Sequence, residues 1–267
     1  MLLFAVPPVA FRSPFERTSQ PLHTVAVIPA RYHSTRLPGK PLADIAGRPM
    51  IEHVYGRAAA ARGVDAVVVA TDDQRIVQAV ERFGGLARMT SLTHRSGLDR
   101  VAEVAEDLDC DIVVNVQGDE PLLEPEMIAE VIRPFLSDPS LQMSTLRKRI
   151  DDRAEISNPD VVKVVVDMTG NALYFSRSSI PCARGGAGPI FKHIGLYAYR
   201  RPFVRELAAR PQTPLEIAES LEQLRALEHG FRICAVETQY DSIGVDSPGD
   251  LERVRRQLTV AAAHEAG

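Results

Sequence analysis

The stretch VAVIPARYHSTRLPGK, Val25 to Lys40, decides the fold. Its first four residues, Val25 to Ile28, are apolar without polar alternation, which is typical of a strand buried on both faces of a parallel sheet. Ligands of α/β proteins bind at the carboxyl ends of such strands. The loop that follows Pro29 is therefore predicted to lie at a ligand site.

This loop contains three cations within a stretch of ten residues: Arg31, Arg36 and Lys40. Pro38 restricts the backbone and Gly39 permits close approach, so the loop favours a bound anion such as a phosphate. An ordinary basic surface loop has the same composition. Because the stretch lacks the glycines of a Walker A loop or of a Gly-x-Gly dinucleotide turn, side chains are expected to hold the phosphates.

Length and composition exclude several classes. A chain of 267 residues with 45% hydrophobic residues has enough apolar side chains for one large domain. The net charge of -4 predicts no general attraction to nucleic acid or to a membrane surface, and no apolar run reaches transmembrane length. Cys110, Cys182 and Cys234 are scattered, which favours free thiols in a reducing cytoplasm.

The two ends of the chain lie outside the predicted domain. Residues 1–23 are apolar, but they lack a basic start and are broken by Pro7 and Pro8, so a disordered extension is predicted rather than a signal peptide. A single domain is expected over residues 24–258. The alanine-rich tail 259–267 is expected to fray.

Strands alternate with helices after the first loop. A helix is predicted from Met50 to Arg62, a strand from Ala66 to Ala70, a helix capped by Thr71 or Asp72, and a strand from Leu86 to Met89. Ser96 and Asp99 predict a capping box for a further helix, and Thr213 to Gly230 reads as one helix. This rhythm predicts an α/β fold, a three-layer, mostly parallel nucleotide-binding sheet.

A second buried strand, Ile112 to Val116, ends in Gln117, Gly118, Asp119 and Glu120. Carboxylates at the carboxyl end of a central strand lie where a metal or a substrate is bound. A solvated polar turn is the alternative interpretation.

Residues of about 160–200 break the strand–helix rhythm and predict a smaller, inserted β-rich lobe that begins with a hairpin. His193, Tyr197, Lys192 and Arg177 lie on neighbouring strands of this region and suggest a polar anion-binding wall. A structural role for the histidine is the alternative. The run Arg147 to Arg149 is predicted to be a solvated strand end.

Several ordered segments together resemble one family. They are IPARYHSTRLPGKPLADIAGRPMI, SGLDRVAE, VNVQGDEP, NPDVVKVVVD, YFSRSSIP, HIGLYAYR, LEQLRAL and GVDSPGDLERV. They are similar to the 3-deoxy-manno-octulosonate (KDO) cytidylyltransferases, also called CMP-KDO synthetases, from about Thr24 to Leu258. The first segment is shared more loosely with CMP-sialic acid synthetases.

The resemblance implies a soluble, typically dimeric enzyme that joins CTP and KDO to give CMP-KDO and pyrophosphate for lipopolysaccharide synthesis. It implies Mg²⁺ as cofactor. It implies these roles: Arg31, Arg36 and Lys40 for the CTP phosphates; Asp119 and Asp246 for Mg²⁺; Gln117, Arg177, His193, Tyr197 and Glu222 for KDO; and Arg100 near the nucleotide or the sugar. Arg31, Lys40, Asp119 and Asp246 form the expected catalytic set.

Two positions depart from the family pattern. Leu98 stands where the family has Thr, and Cys182 where an aromatic residue is common. Arg100 by itself also fits a solvated helix cation. Two alternatives are a cytidylyltransferase for another acidic sugar, such as sialic acid or an amino analogue of KDO, and a non-catalytic nucleotide- or sugar-binding protein.

Overall fold

The computed structural model describes residues 22–33, 37–182, 184–186 and 188–265, with residues 259–265 described by their backbone alone. Arg36 and nearly all of the predicted extension 1–23 lie outside the described residues. The carbonyl of His23 accepts hydrogen bonds from the amides of Asp111 and Ile112. Backbone pairing of the domain therefore includes the residue before the predicted start at Thr24.

The strands and helices follow one another in the predicted rhythm. In chain order the strands are β1 (Thr24–Ala30), β2 (Asp44–Ile45), β3 (Arg48–Pro49), β4 (Ala66–Thr71), β5 (Leu86–Met89), β6 (Ile112–Asn115), β7 (Met143–Arg149), β8 (Lys163–Val166), β9 (Ala172–Ser176), β10 (Phe191–Arg200) and β11 (Ile233–Glu237). The helices are α1 (Met50–Ala59), α2 (Gln74–Arg82), α3 (Gly97–Glu106), α4 (Pro125–Ile132), α5 (Pro134–Ser137), α6 (Arg153–Ser157), α7 (Arg201–Ala209), α8 (Pro214–Glu219), α9 (Gln223–Glu228) and α10 (Pro248–Glu265). A 3₁₀ turn covers Lys40–Leu42.

Among the described residues, nine strands form one mixed sheet, in the order β11-β7-β10-β6-β1-β4-β5, with the hairpin β8–β9 attached through β10. β1 is parallel to both β4 and β6, and β4 to β5. β10 runs antiparallel between β6 and β7. The predicted α/β class with a mostly parallel sheet is confirmed.

β1 is buried on both faces, as its unbroken apolar run predicts. Ala26 and Ile28 belong to a core shared with α1 and α4, whereas Val25 and Val27 belong to a core shared with α3 and α7. A third cluster, Ile45, Met50, Val245, Leu251 and Val254, joins the β2–β3 hairpin to α10. This cluster packs the segment that follows Lys40 against the segment that carries Asp246.

The position of β10 in the sheet differs from the predicted position. The hairpin β8–β9 forms as expected, but β10, assigned to the lobe over residues 160–200, is a central strand of the main sheet. The sequence alone does not show this, because alternation along β10 fits an edge strand as well as an antiparallel central one.

The run Arg147 to Arg149 belongs to β7, and the Arg147 side chain is only 14% exposed and lies over the Phe191 ring.

Helix boundaries supply further corrections. Ser220, at a φ of 53°, separates α8 from α9, so the single helix predicted from Thr213 to Gly230 is wrong. The amide of Thr213 donates to Glu216 Oε2 at 3.2 Å at the start of α8, and Ile217 on this helix is 61% exposed. Asp73 caps α2 instead of Thr71 or Asp72.

Residues 259–265, predicted to fray, continue α10. All three cysteines are free. Within the described ranges, none of the helices combines the length and the apolar character needed to cross a bilayer.

Candidate active site

A cavity of about 370 Å³ opens at the carboxyl ends of β1 and β6. It is lined by Pro29, Ala30, Arg31, His33, Lys40, Pro41, Gly97, Gln117, Gly118, Asp119 and Asp246. Five predicted site residues, Arg31, Lys40, Gln117, Asp119 and Asp246, are thus brought together from distant parts of the sequence. The cavity lies where α/β sheets bind their ligands.

Lys40 lies between the two predicted metal ligands. Its Nζ is 2.6 Å from Asp119 Oδ2 and 3.2 Å from Asp246 Oδ1. Burial alone lowers the pKa of Lys40, but the two carboxylates outweigh burial and raise it. Lys40 therefore remains a cation, and it contacts both carboxylates directly.

Backbone contacts explain why the carboxylates converge. A Cβ on Gly118 would lie 2.6 Å from the carbonyl oxygen of Pro29, so only glycine lets the loop after β6 pass so close to β1. The amide of Val245 donates to the carbonyl of Asp119 at 2.9 Å. Asp246, the next residue, is thereby held beside Asp119.

Arg31 is a second cation that lines the cavity. Its Nη2 donates to the carbonyl of His94 at 3.0 Å. Burial, followed by the charge of Arg100, lowers the pKa of Arg31. This hydrogen bond orients the guanidinium of Arg31, which is one of the cavity-lining residues.

Arg100 is not a solvated cation, since it is 1% exposed. It pairs with Asp72 and donates to Thr90 Oγ1 at 2.6 Å. It does not line the cavity, so its contact with nucleotide or sugar stays a prediction. Leu98, where the family pattern has a hydroxyl, is buried in the core on the α3 side.

The predicted sugar-binding residues on β10 are neutral and desolvated. His193 Nε2 lies 2.9 Å from Thr145 Oγ1, and its ring packs edge-on against Phe175. Part of the residue reaches solvent, but burial around the ring lowers the pKa of His193 to about 3. Tyr197 donates to Gln223 Oε1 at 3.2 Å, and burial raises the pKa of its phenol.

Gln117 connects β10 to the cavity, because its Nε2 donates to the carbonyl of Gly195 at 3.2 Å. Glu222 lies directly before α9, and burial raises the pKa of its carboxyl against the opposing hydrogen bond with Ser96. The neighbourhood of β10 therefore offers two neutral polar side chains, His193 and Tyr197, and a carboxyl group with a raised pKa.

The predicted wall of Arg177, Lys192, His193 and Tyr197 is wrong in part. Arg177 donates to the carbonyls of Glu219 at 2.9 Å and Pro159 at 3.0 Å. Lys192 alternates with His193 along β10 and pairs with carboxylates on the other face of the sheet. Arg177 does not line the cavity, so its role in binding KDO stays a prediction.

Glu120, for which a solvated turn was the alternative interpretation, is hydrogen-bonded and largely desolvated, and it was not among the predicted site residues. Burial raises its pKa to about 7, with Asp119 adding to the effect, although Ser242 Oγ donates to it at 2.8 Å. The signal was its position directly after Asp119 at the end of a buried strand. His33 and Gly97 were also missed, and Gly97 places the amino terminus of α3 at the cavity wall.

Asp119 and Asp246 fit a magnesium ion that is held jointly with a substrate. Both carboxylates lie within hydrogen-bonding distance of one cation, Lys40 Nζ, so their oxygens converge. Over the described ranges, no group of three His, Cys, Asp or Glu side chains forms a metal cage. Mg²⁺ is commonly bound by one or two carboxylates together with substrate phosphates, which matches this pair.

A mostly parallel sheet with a cationic loop and two facing carboxylates at its strand ends defines a nucleotide-binding enzyme of the nucleotidyltransferase class. The sequence family described as cytidylyltransferase matches residues 25–233. The chain is 54% identical over 246 residues to the 3-deoxy-manno-octulosonate cytidylyltransferase of Geobacter metallireducens, covering 88% of this chain and 97% of the relative. It is 55% identical over 249 residues to the enzyme of the same name from Geobacter sulfurreducens, covering 89% and 100%.

Solved structures agree. A CMP:2-keto-3-deoxy-manno-octonic acid synthetase complexed with CTP superposes with a TM-score of 0.86 at 47% identity, over 90% of this chain and 99% of that one. The 4-diphosphocytidyl-2C-methyl-D-erythritol synthase of Anaerococcus prevotii, at 14% identity and a TM-score of 0.60 over 89% and 96% of the two chains, shares the fold. The chain belongs to the cytidylyltransferase family, and within it to the 3-deoxy-manno-octulosonate cytidylyltransferases.

Proposed function

We propose that this enzyme transfers CMP from CTP to the anomeric hydroxyl of KDO and releases pyrophosphate, a step that serves lipopolysaccharide biosynthesis. The observation that carries the proposal is the cavity at the ends of β1 and β6, where Arg31 and Lys40 meet Asp119 and Asp246. The relatives named above, 54% and 55% identical, support KDO as the acceptor.

The chain's own residues bind and orient the reactants. Arg31 and Lys40 supply positive charge for the triphosphate, and Gln117 and Tyr197 supply hydrogen-bonding groups for the sugar. The C2 hydroxyl of KDO attacks the α-phosphorus in line and gives up its proton to solvent, as a new phosphorus–oxygen bond forms and the bond to pyrophosphate breaks.

Asp119 and Asp246 are the residues proposed to hold magnesium. Mg²⁺ bound there would neutralise phosphate charge and polarise the reacting phosphoryl group. Because the protein offers two carboxylates and not a cage, Mg²⁺ affinity is expected to rise when CTP is present.

A homodimer in the cytoplasm is part of the proposal. The free cysteines support a reducing compartment. Leu173 in the hairpin and Ile217 on α8 are 62% and 61% exposed, which supports a contact with a second copy. Light scattering coupled to gel filtration measures the mass in solution, and a monomer at micromolar concentration would contradict the dimer.

The experiment that tests the activity is pyrophosphate release from CTP with KDO, with and without a chelator. Turnover that requires KDO and stops on chelation is expected. Sialic acid and an amino analogue of KDO serve as competing acceptors. Turnover with one of these and none with KDO overturns the choice of sugar, and no turnover with any acceptor favours a binding protein.

A further inference from the structure

Three lysines occupy partnered positions on adjacent strands. In the ladders, Lys192 on β10 is opposite Lys148 on β7 and Lys163 on β8. We refer to Lys148, Lys192 and Lys163 as the lysine row. Like charges directly opposite one another destabilise a sheet, so each of these cations requires partners elsewhere.

Each lysine of the row meets a different set of partners. Lys163 donates to the carbonyls of residues 158, 161 and 177, and Lys148 lies 3.1 Å from Asp241 Oδ2. Lys192 lies 2.9 Å from Glu155 Oε1 and 2.9 Å from Asp241 Oδ2. Burial lowers the pKa of Lys192, but both carboxylates outweigh it and raise the pKa. Lys192, 8% exposed, is thus the member that joins two separate segments.

The first segment leads to the proposed metal ligand Asp246. Residues 238–247 contain no helix or strand, so side-chain and backbone contacts hold them in place. Asp241 pairs with Lys192, Ser242 Oγ donates to Glu120 at 2.8 Å, and the amide of Val245 donates to the carbonyl of Asp119 at 2.9 Å. The position of Asp246 therefore depends on how this segment is anchored.

The second segment leads to Arg177, which the family resemblance places at the sugar. Glu155 lies on the short helix α6, and the carbonyl of Ile156 accepts a hydrogen bond from Ser179 at 2.9 Å. Arg177 donates to the carbonyl of Pro159 at 3.0 Å. Anchoring α6 through Glu155 thus also anchors the chain around Arg177.

We infer that Lys192 is a positioning residue that fixes the segment carrying Asp246 and the segment around Arg177 on one strand of the central sheet. It acts through Asp241 on the metal side and through Glu155 on the sugar side. The expected effect of Lys192 on turnover rests on the proposed function. The expected effect of Lys192 on the position of residues 238–247 does not rest on the proposed function.

The test separates the two arms with single substitutions. Asp241→Asn breaks the metal-side arm and Glu155→Gln breaks the sugar-side arm. Lys192→Met breaks the sugar-side arm and weakens the metal-side arm, in which Lys148 still pairs with Asp241, while Lys192→Arg retains the charge. Arg232→Met, which removes an ion pair with Asp138 at the opposite end of the sheet, is the matched control. Amide exchange of a peptide covering residues 238–247, measured by mass spectrometry without substrates, reports the anchoring directly.

Lys192→Met and Asp241→Asn are expected to speed amide exchange of the peptide 238–247, with the larger effect in Asp241→Asn, whereas Glu155→Gln and Arg232→Met leave it unchanged. In the CTP plus KDO assay, Asp241→Asn raises the apparent Mg²⁺ requirement by about tenfold at most, since tenfold is the lower limit for direct partners of metal ligands and Asp241 acts only through the segment that carries Asp246. Glu155→Gln raises the KM for KDO alone, Lys192→Met raises both, and Lys192→Arg restores most of each.

Unchanged exchange in Lys192→Met and Asp241→Asn overturns the inference. So does a Lys192→Met variant that only melts earlier while its Mg²⁺ requirement and KM stay normal. If Lys192→Met does not fold, Asp241→Asn and Glu155→Gln give the two arms separately. A wild-type protein that does not turn over KDO refutes the proposed function, but the exchange result still decides the anchoring.

Discussion

The two sides of the candidate site are built on different physical principles. The phosphate side, our name for the residues proposed to bind the phosphates (Arg31, Lys40, Asp119 and Asp246), lines the cavity, and Lys40 Nζ lies within 3.2 Å of both carboxylates. The sugar side, our name for three residues proposed to bind KDO (His193, Tyr197 and Glu222), lies on β10 and just before α9, where burial shifts each pKa toward the neutral form. Charge balance controls the phosphate side, and desolvation controls the sugar side. Substitutions on the two sides should therefore have separable effects.

The largest effect is expected from Asp119→Asn. The change removes a proposed magnesium ligand and half of the negative charge next to Lys40, while the backbone bond from Val245 to residue 119 is retained. We expect kcat to fall by about 10³-fold, since a metal contributes several kcal/mol to such reactions. Pyrophosphate release measures this.

Asp138→Asn, which removes a surface carboxylate paired with Arg232, serves as its control and should change activity little. Near-normal activity in Asp119→Asn would refute the metal assignment and with it the distinction between the two sides.

Lys40→Met should have the next largest effect. Without this cation Asp119 and Asp246 repel each other, and the triphosphate loses a charge-assisted partner. We expect kcat/KM for CTP to fall by about 10²-fold while the KM for KDO changes little. Steady-state kinetics with each substrate varied in turn separate the two constants. An equal rise in both KM values would mean that the two sides are not independent.

The sheet and the phosphate side were predictable from sequence because local signals agree with the tertiary structure there. Val25 to Ile28 is apolar at every position, which matches a strand between two cores. Ser96 and Asp99 specify the start of α3 through their side chains alone. Arg31, Lys40 and Asp119 lie in the segments that follow β1 and β6, so the rule for parallel strands places them together, whereas the family resemblance placed Asp246 with them.

What was missed depends on contacts between distant segments. The break at Ser220 has no glycine or proline to announce it, and the central position of β10 follows from pairing with β6 and β7. Lys192 looked like a substrate cation because its partners, Glu155 and Asp241, are far away in sequence. Family resemblance, and not spacing, identified the sugar side.

Tyr197→Phe sharpens the comparison with a moderate effect on the sugar side. It removes the donor to Gln223 Oε1, in a region where Gln223 Nε2 already has no partner among the described residues. Losing one neutral hydrogen bond corresponds to about 3- to 10-fold, which we expect as a rise in the KM for KDO with CTP unaffected.

Tyr55→Phe, whose hydroxyl donates to the carbonyl of Val67 in the opposite core, is the matched control. A rise in the KM for CTP alone would move Tyr197 to the phosphate side.

The smallest expected effect concerns His193 and acid stability. Burial lowers its pKa from 6.5 to about 3, so the folded protein binds this proton less readily than the unfolded chain does. Above pH 6.5 the titration of His193 does not change the free energy of unfolding. As the pH falls from 6.5 to about 3, it lowers the free energy of unfolding progressively. Allowing for the part of the residue that reaches solvent, the loss of unfolding free energy between pH 7 and pH 5.5 is about 1 kcal/mol.

In His193→Gln that loss should be absent. Urea unfolding at the two pH values should therefore give a smaller difference in unfolding free energy for His193→Gln than for the wild type. Equal differences in the two proteins would show that His193 titrates normally, and that the sugar side is not desolvated as its structure indicates.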